Sequence, residues 1–250
     1  MEFAKISEVQ TLPNTSKAIF ITFDLDWCID PIFEYTLDLI EKYSVKKATF
    51  FVTHYTDLLH YLRKNNNMEL GIHPNFNHLL QGEKKKKENN FKEVLDFYKE
   101  IVPEAVSVRT HSLTMSSIII NYLKEINLRL ECSLFIPFDS NIILTPYNYL
   151  GIKKVPYYCG DFYLLANNNF KTGKRELLFR LLDYDGLKVF NFHPIHIFLN
   201  TDNIERYRQA KLYSDNYGLV KKYVNNSKYG IKDFFVDLIR EVKSDYLQKS

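Results

Sequence analysis

Short apolar runs separated by longer amphipathic stretches are the feature that most constrains the fold of this chain. Runs of this length are typical of buried strands, and the stretches between them place apolar residues at helical spacing, as Val94, Leu95 and Tyr98 do. The predicted strands are Ala18–Phe23, Ala48–Val52, Glu69–Ile72, Ala105–Arg109, Arg129–Cys132, Ile152–Pro156 and Leu187–Phe192. The predicted helices are Pro31–Tyr43, Thr56–Lys64, Phe91–Ile101, Ser116–Ile126, Lys174–Leu182, Asn203–Ala210 and Ile231–Val242.

This alternation predicts an α/β fold on a parallel sheet, because a parallel connection needs a crossover segment that is usually a helix. About seven parallel strands with no glycine-rich phosphate loop favour a distorted (β/α) barrel over a dinucleotide-binding sheet. The 250 residues, 46% of them hydrophobic, suffice for one large core. We therefore expect a single catalytic domain over residues 1–250, with a core over about 18–200 and a C-terminal helical extension over 201–250.

Charge and cysteine content exclude several classes of protein. The 33 basic and 30 acidic residues give a net charge of +3, too even for a nucleic-acid binder with a strong basic excess. Cys28, Cys132 and Cys159 are scattered and form no CxxC pair or disulfide framework.

The N-terminus lacks the basic-then-apolar order of a signal peptide, and no apolar run is long enough to span a bilayer. We expect a cytoplasmic protein with no integral membrane segment.

Polar side chains follow the predicted strands at their carboxyl ends. Asp24 and Asp26 end the first strand, where a buried carboxylate costs free energy unless it is paired or binds a metal. Residues two apart in an extended backbone point to the same side, so one aspartate can hold a metal while the other moves a proton. Because the carboxyl ends of parallel strands share one face, the polar residues after four further strands are expected to converge there. These residues are His54, His73, Arg109, His111, His193 and His196.

The first two strands carry a family resemblance. Thr22-Phe23-Asp24-Leu25-Asp26 resembles the Thr-Phe-Asp-Asp motif of the polysaccharide deacetylases of the NodB-homology type, carbohydrate esterase family four. Some members of the wider superfamily separate the two aspartates by one residue, as Leu25 does here. Ala48–Val52 matches the Ala-Thr-Phe-Phe-Val of the next strand in that family letter for letter.

Later motifs match more loosely. Arg109 corresponds to the arginine of the third motif, Asp161 to the aspartate of the fourth, and His193 to the histidine of the fifth, whose leucine is lost. The phrases Gly-Ile-His-Pro-Asn-Phe at 71–76 and Phe-His-Pro-Ile-His at 192–196 resemble the WbmS-like deacetylases of surface-polysaccharide and lipopolysaccharide gene clusters. The resemblance covers about residues 18–200.

The resemblance implies a divalent metal, most often zinc, held by one aspartate and two histidines, here Asp26, His73 and a third residue. The family places its second histidine four residues after the first, where this chain has Asn77 followed by His78. A helical turn would place Asn77 beneath His73, whereas an imidazole is the better ligand and favours His78. Independently of the family, nitrogen and carboxylate ligands with open positions suit catalytic zinc, or iron, cobalt or nickel in related geometries.

The resemblance also implies catalytic roles for three residues. Asp24 would be the general base and His193 the general acid, and Arg109 would hold Asp24 ionised. A structural ion pair is an equally common use of such an arginine. The residues predicted to line the substrate site, each with a purely structural alternative, are Trp27, His54, His111, Asp161 and His196.

These assignments predict a metal-dependent hydrolase that removes the acetyl group from an N-acetylated sugar, such as a surface-polysaccharide or lipopolysaccharide precursor. Two alternatives stay open at the level of sequence. One is a metal-independent C–N amidase of the same superfamily, which the altered second motif allows. The other is a carbohydrate-binding protein without catalysis, which the presence of Asp24, Asp26, His73, Arg109 and His193 disfavours.

Overall fold

The computed structural model of the chain describes residues 1–26, 28–82, 88–167 and 174–249. Ten strands in the described residues form one curled sheet. They are β1 (Glu2–Ala4), β2 (Ala18–Asp24), β3 (Ala48–Val52), β4 (Met68–Ile72), β5 (Ser107–Val108), β6 (Leu130–Glu131), β7 (Tyr147–Tyr149), β8 (Ile152–Lys154), β9 (Cys159–Gly160) and β10 (Lys188–Phe192).

The sheet runs in the order β7-β8-β6-β5-β4-β3-β2-β10-β9, with β1 paired to the first three residues of β2. Every pairing is parallel except that of β7 with β8. All residues of β2, β3 and β10 are buried, as expected for strands covered on both faces. The predicted parallel α/β fold with barrel-like curvature is confirmed, and all seven predicted strands are present.

The helices of the described residues lie between the strands and after the last of them. They are α1 (Asp30–Lys42), α2 (Leu58–Arg63), α3 (Asn77–Leu80), α4 (Phe91–Ile101), α5 (Ser117–Glu125), α6 (Asp161–Ala166), α7 (Lys174–Leu182), α8 (Pro194–Leu199), α9 (Ile204–Lys211), α10 (Tyr217–Val220) and α11 (Ile231–Lys249). In the described part of the chain, none of them is long and apolar enough to cross a membrane.

Local signals explain where helices begin and end. Asn90 caps α4, because its side-chain oxygen accepts hydrogen bonds from the backbone N–H groups of Lys92 and Glu93. Pro194 occupies the first turn of α8, where its missing N–H costs nothing. Asn200, with φ of 47°, ends α8 in the left-handed conformation. These ends matter because α8 begins directly after β10, at the edge of the sheet where the polar residues converge.

The C-terminal helix α11 belongs to the same hydrophobic core as the sheet. Its Phe235 lies fully buried, with its ring centroid 5.9 Å from that of Phe23 on β2 and 5.2 Å from that of Phe192 on β10. Removing this apolar surface from water stabilises both elements. This part of α11 therefore packs on β2, which ends in Asp24, and on β10, which His193 directly follows.

Candidate active site

A cavity of about 380 Å³ lies at the carboxyl ends of the strands. Residues from β2, β10, the loop after β4 and the turn after β5 line it, among them Asp24, His73, His111, Asn191 and His193. This is the edge at which parallel β/α folds place their ligand sites. The structure thus brings together most of the polar residues that the sequence predicted to converge.

Asp24 is held at the end of β2 by two hydrogen-bond donors. Its Oδ1 accepts a hydrogen bond from Arg109 Nη1 at 3.0 Å, and its Oδ2 accepts one from Asn191 Nδ2 at 2.8 Å. The same Arg109 nitrogen donates to Thr22 Oγ1 at 2.8 Å and to Asn191 Oδ1 at 2.5 Å. Because Thr22 pairs with Asn191 across β2 and β10, the sheet register itself assembles this network. Both carboxylate oxygens of Asp24 are thereby fixed in position.

Arg109 is completely buried between two aromatic rings. Its guanidinium carbon lies 4.4 Å from the ring centroid of Phe51 and 4.7 Å from that of Tyr157, and its Nε donates to the carbonyl of Cys132. A Cβ atom at Gly71 would lie 2.8 Å from the Phe51 ring, so only glycine there leaves room for this stack. A buried charge of this kind needs a partner, and Asp24 supplies it.

Asp26, His73 and His111, here named the Asp26 cluster, form a group of possible metal ligands. His73 Nε2 lies 3.0 Å and His111 Nδ1 2.8 Å from the same oxygen, Asp26 Oδ2. One ligand atom from each residue lies within 4.8 Å of the others. Two imidazole nitrogens and one carboxylate oxygen make the ligand set of many catalytic zinc sites with an open position.

The backbone after β5 is strained where it aims His111 at Asp26. Ser112 and Leu113 both have positive φ, 54° and 57°, although neither is glycine. His111 itself is anchored by its backbone N–H, which donates to the carbonyl of Pro74 at 2.9 Å. Such conformations cost on the order of 1–3 kcal/mol each and persist where the surroundings enforce them, often at functional sites.

Charge pairing keeps the Asp26 carboxylate ionised. Burial by itself raises the pKa of Asp26, but the charges and hydrogen bonds of His73 and His111 outweigh it and hold the pKa well below its usual range. Burial lowers the pKa of His73, but the charges of Asp24 and Asp26 outweigh it and raise that pKa. The cluster therefore presents an ionised carboxylate, the state a metal ligand requires.

Asp161, His193 and His196, here named the Asp161 cluster, lie on the other side of Asp24. Asp161 Oδ1 accepts a hydrogen bond from His193 Nδ1 at 2.8 Å, and its Oδ2 accepts one from the His193 backbone N–H at 2.6 Å. His193 Nε2 lies 3.9 Å from Asp24 Oδ2. Burial lowers the pKa of His193, but the charge and hydrogen bonding of Asp161 outweigh it and raise the pKa to about 9. His193 is therefore protonated near neutral pH.

His196 is buried behind His193 and differs from it in protonation state. Its Nδ1 lies 3.0 Å from Thr201 Oγ1, and its Nε2 has no hydrogen-bond partner among the described residues. Burial is the main reason that its pKa falls to about 4. Its ring packs against Phe162 and Tyr207, with centroids 4.8 Å and 4.6 Å away. His196, predicted as a substrate contact, is not among the residues that line the cavity.

The prediction of His78 as the third metal ligand, with Asn77 as the alternative, does not fit the geometry. His78 lies in α3 and donates a hydrogen bond from Nε2 to the carbonyl of Glu88 at 2.9 Å. The Asn77 amide lies 3.5 Å from Ser112 Oγ instead of approaching Asp26. His111, predicted as a substrate contact, instead joins Asp26 and His73 in the group that could hold a metal ion. The sequence spacing misled because the second donor comes from the neighbouring strand end and not from the helical turn after His73.

Of three other predicted substrate contacts, Asp161 and His54 lie away from the cavity. Asp161 is 1% exposed, and both its oxygens bind His193, so it contacts a cavity residue and not the cavity. His54 lines a neighbouring surface depression with Cys28 and Asp30 and bonds to Thr53 through Nδ1. Trp27 lies outside the described residues.

Sequence reasoning gave no role to several residues of this site. Asn191 lies two positions before His193, so strand alternation alone would have placed it on the same face. Tyr157, Tyr207 and Lys211 also line the cavity. They come from an irregular segment after β8 and from α9, and no motif or spacing marked them.

Comparisons with known proteins agree with this geometry. Residues 21–211 match the sequence profile of the WbmS-like polysaccharide deacetylases. A solved structure of the WbmS protein of Bordetella bronchiseptica, assigned as a polysaccharide deacetylase involved in O-antigen biosynthesis, superposes with a TM-score of 0.87 at 34% sequence identity, covering 96% of this chain and 98% of that one. The chain therefore belongs to the WbmS-like family of polysaccharide deacetylases.

More distant comparisons add little. A polysaccharide deacetylase structure from Mycobacterium smegmatis, whose assignment is provisional, has a TM-score of 0.46 at 15% identity, covering 94% of this chain and 93% of that one. A 4-alpha-glucanotransferase from Thermococcus litoralis has a TM-score of 0.48 at 13% identity, covering 93% of this chain and 38% of that one. A search of curated protein sequences gave no match.

Proposed function

We propose that this protein is a metal-dependent deacetylase that hydrolyses the acetamide of an N-acetylated sugar in a surface-polysaccharide or lipopolysaccharide precursor. The observation that carries the proposal is the meeting of the Asp26 cluster with Asp24 and His193 in one cavity. Family membership supports the reaction, and the O-antigen role assigned to the Bordetella bronchiseptica protein supports the class of substrate. The cytoplasmic location stays a prediction of the sequence.

Asp26, His73 and His111 would hold the metal. The fit is supported by two imidazole nitrogens directed at one carboxylate oxygen and by a buried His73 whose Nδ1 has no hydrogen-bond partner among the described residues. This ligand set suits zinc first among the divalent metals. When bound, such an ion supplies Lewis acidity, which polarises a carbonyl oxygen and makes a nearby water more acidic.

Asp24 acts as the general base in this proposal. Arg109 and Asn191 fix its carboxylate by donating hydrogen bonds to both of its oxygens. A water in the cavity gives its proton to Asp24 while its oxygen forms a bond to the acetyl carbon. The electron pair of the carbonyl moves to its oxygen, which produces a tetrahedral oxyanion.

His193 acts as the general acid. Its Nδ1 proton is held by Asp161, so Nε2 carries the proton that faces Asp24 across 3.9 Å. When the C–N bond of the tetrahedral species breaks, that proton goes to the leaving nitrogen and yields the free amine and acetate. Asp161 does not touch substrate here; it is a positioning residue that orients and charges His193.

We also propose that the whole chain acts as one catalytic domain. Two observations support this: α9, beyond residue 200, contributes Tyr207 and Lys211 to the cavity, and α11 packs on the strands that end in the site. The metal-independent amidase alternative rested on the altered second motif, and His111 now offers the donor that the motif lacks.

The test is acetate release by purified protein supplied with zinc. We expect release from at least one N-acetylated nucleotide-linked, lipid-linked or polymeric sugar, and a loss of about two to four orders of magnitude in kcat for Asp24→Asn with metal content unchanged. His60→Gln, which changes an exposed histidine on α2, serves as the matched control. Zinc-loaded protein that releases no acetate from any of these substrates would overturn the proposal, as would full activity in Asp24→Asn.

A further inference from the structure

One wall of the cavity comes from α9, which lies outside every motif of the deacetylase resemblance. Tyr207 and Lys211 both line the cavity and are four residues apart, so they lie on the same face of this helix. Lys211 Nζ lies 5.8 Å from the centroid of the Tyr207 ring. Asn203 caps the helix by accepting a hydrogen bond from the backbone N–H of Arg206, which fixes where α9 begins.

Tyr207 is a mostly buried polar side chain that lines this wall of the cavity. It is 6% exposed, and its ring is wedged against His196 at 4.6 Å and Phe162 at 5.5 Å between centroids. A tyrosine hydroxyl on a cavity wall can donate a hydrogen bond to a bound ligand. Burial, followed by the charges of Asp26 and Asp161, raises the pKa of Tyr207, so the hydroxyl keeps its proton and is a donor.

Both groups that α9 presents to the cavity can donate hydrogen bonds, and one of them is cationic. An ammonium group offers three donors and no acceptor, which suits an oxygen-rich anion. The α9 wall is thus suited to an anionic part of the ligand, apart from the acetamide at the catalytic residues.

We infer that Tyr207 and Lys211 bind a negatively charged substituent of the sugar, a phosphate or a carboxylate, and so select acidic over neutral N-acetylated sugars. The inference relies on the proposed function for the reaction, but the binding preference can be measured without it. A charged group such as the Lys211 ammonium contributes to binding through charge-assisted hydrogen bonds, and this contribution decreases as the salt concentration rises.

The test compares equilibrium binding of three probes by calorimetry, each with the same zinc-loaded protein. The probes are UDP-N-acetylglucosamine, an oligosaccharide containing an N-acetylated uronic acid, and a neutral N-acetylglucosamine trisaccharide. We expect at least one acidic probe to bind more tightly than the neutral one, and Lys211→Met to weaken that probe about tenfold while leaving the neutral one unchanged. Tyr207→Phe should weaken the same probe about threefold. Which acidic probe responds identifies the phosphate or the carboxylate as the group recognised.

Arg208→Met is the matched control, because it removes a positive charge from the exposed face of the same helix. It should leave the binding of all three probes unchanged. Equal binding of acidic and neutral probes, or equal weakening of both by Lys211→Met, would overturn the inference. If the acidic preference depends on Lys211 but no acetate is released, the proposed function fails and the anion site stands.

Discussion

The two clusters of one aspartate and two histidines at this end of the sheet have the same composition and different surroundings. In the Asp26 cluster both imidazoles approach one carboxylate oxygen, the residues line the cavity, and Asp26 and His111 are partly exposed. In the Asp161 cluster all three residues are buried, and both carboxylate oxygens already accept hydrogen bonds from His193. Ligand composition alone therefore does not define a metal site; the open lone pairs and access to the cavity do.

The largest expected effect is on bound zinc, which should depend on the Asp26 cluster and not on the Asp161 cluster. His111→Gln should lose the bound zinc and reduce kcat/KM on the order of a thousandfold, because it removes a ligand at the reacting centre. His196→Gln should keep about one zinc per chain, since that histidine lies behind His193. Elemental analysis after gel filtration measures both variants. Zinc retained in His111→Gln and lost in His196→Gln would reverse the assignment of the two clusters.

The second effect concerns the acid and its orienting carboxylate. With the pKa of His193 at about 9, its acid form persists through neutral pH, and kcat should fall as pH rises through about 9. In Asp161→Asn the raising influence of the carboxylate is gone and burial lowers the pKa, so this decline should move to lower pH, and kcat at neutral pH should fall roughly 10- to 100-fold. A pH–rate profile of Asp161→Asn that keeps the wild-type decline would show that Asp161 does not control this proton.

The third effect is on stability and not on activity, and here the two buried histidines act in opposite directions. For His196, whose pKa falls from 6.5 to about 4, the unfolded chain binds the proton more readily, so stability is lost as pH falls from about 6.5 to about 4. For His193, whose pKa rises from 6.5 to about 9, stability is lost as pH rises from about 6.5 to about 9. Each of these two pKa shifts changes the free energy of unfolding by roughly 3 kcal/mol across its pH range.

These two histidines alone therefore place maximal stability near pH 6.5. His196→Phe, an aromatic substitution among Phe162 and Tyr207, should remove much of the loss on the acid side and leave the loss on the alkaline side. Chemical denaturation at several pH values measures the loss of stability on the acid side and on the alkaline side. If His196→Phe loses as much stability at acid pH as the wild type does, groups other than His196 cause that loss.

The helices and strands that could be predicted from the sequence are those whose pattern lies within the element itself. Helix α4 was predicted to the residue, because Asn90 caps it and its apolar spacing is regular. Strand β3 was predicted to the residue because four of its five residues are apolar. The strands β1, β7 and β9 were not predicted, since each has two or three residues and too little pattern to detect. Helix α8 was also missed: its six buried residues give no amphipathic face.

The sequence by itself determined the parallel α/β fold and the pair of aspartates at the end of the first long strand, because strand patterning and the cost of burying carboxylates are local facts. Only the tertiary structure decided what those aspartates contact. The spacing after His73 indicated Asn77 or His78 as a partner, but the strand order placed β5 beside β4 and delivered His111 to Asp26. Asn191 reached Asp24 in the same way, through the register of β10 with β2. Residues far apart in the chain meet through the strand order and register of the sheet, and the spacing of a single motif predicts neither.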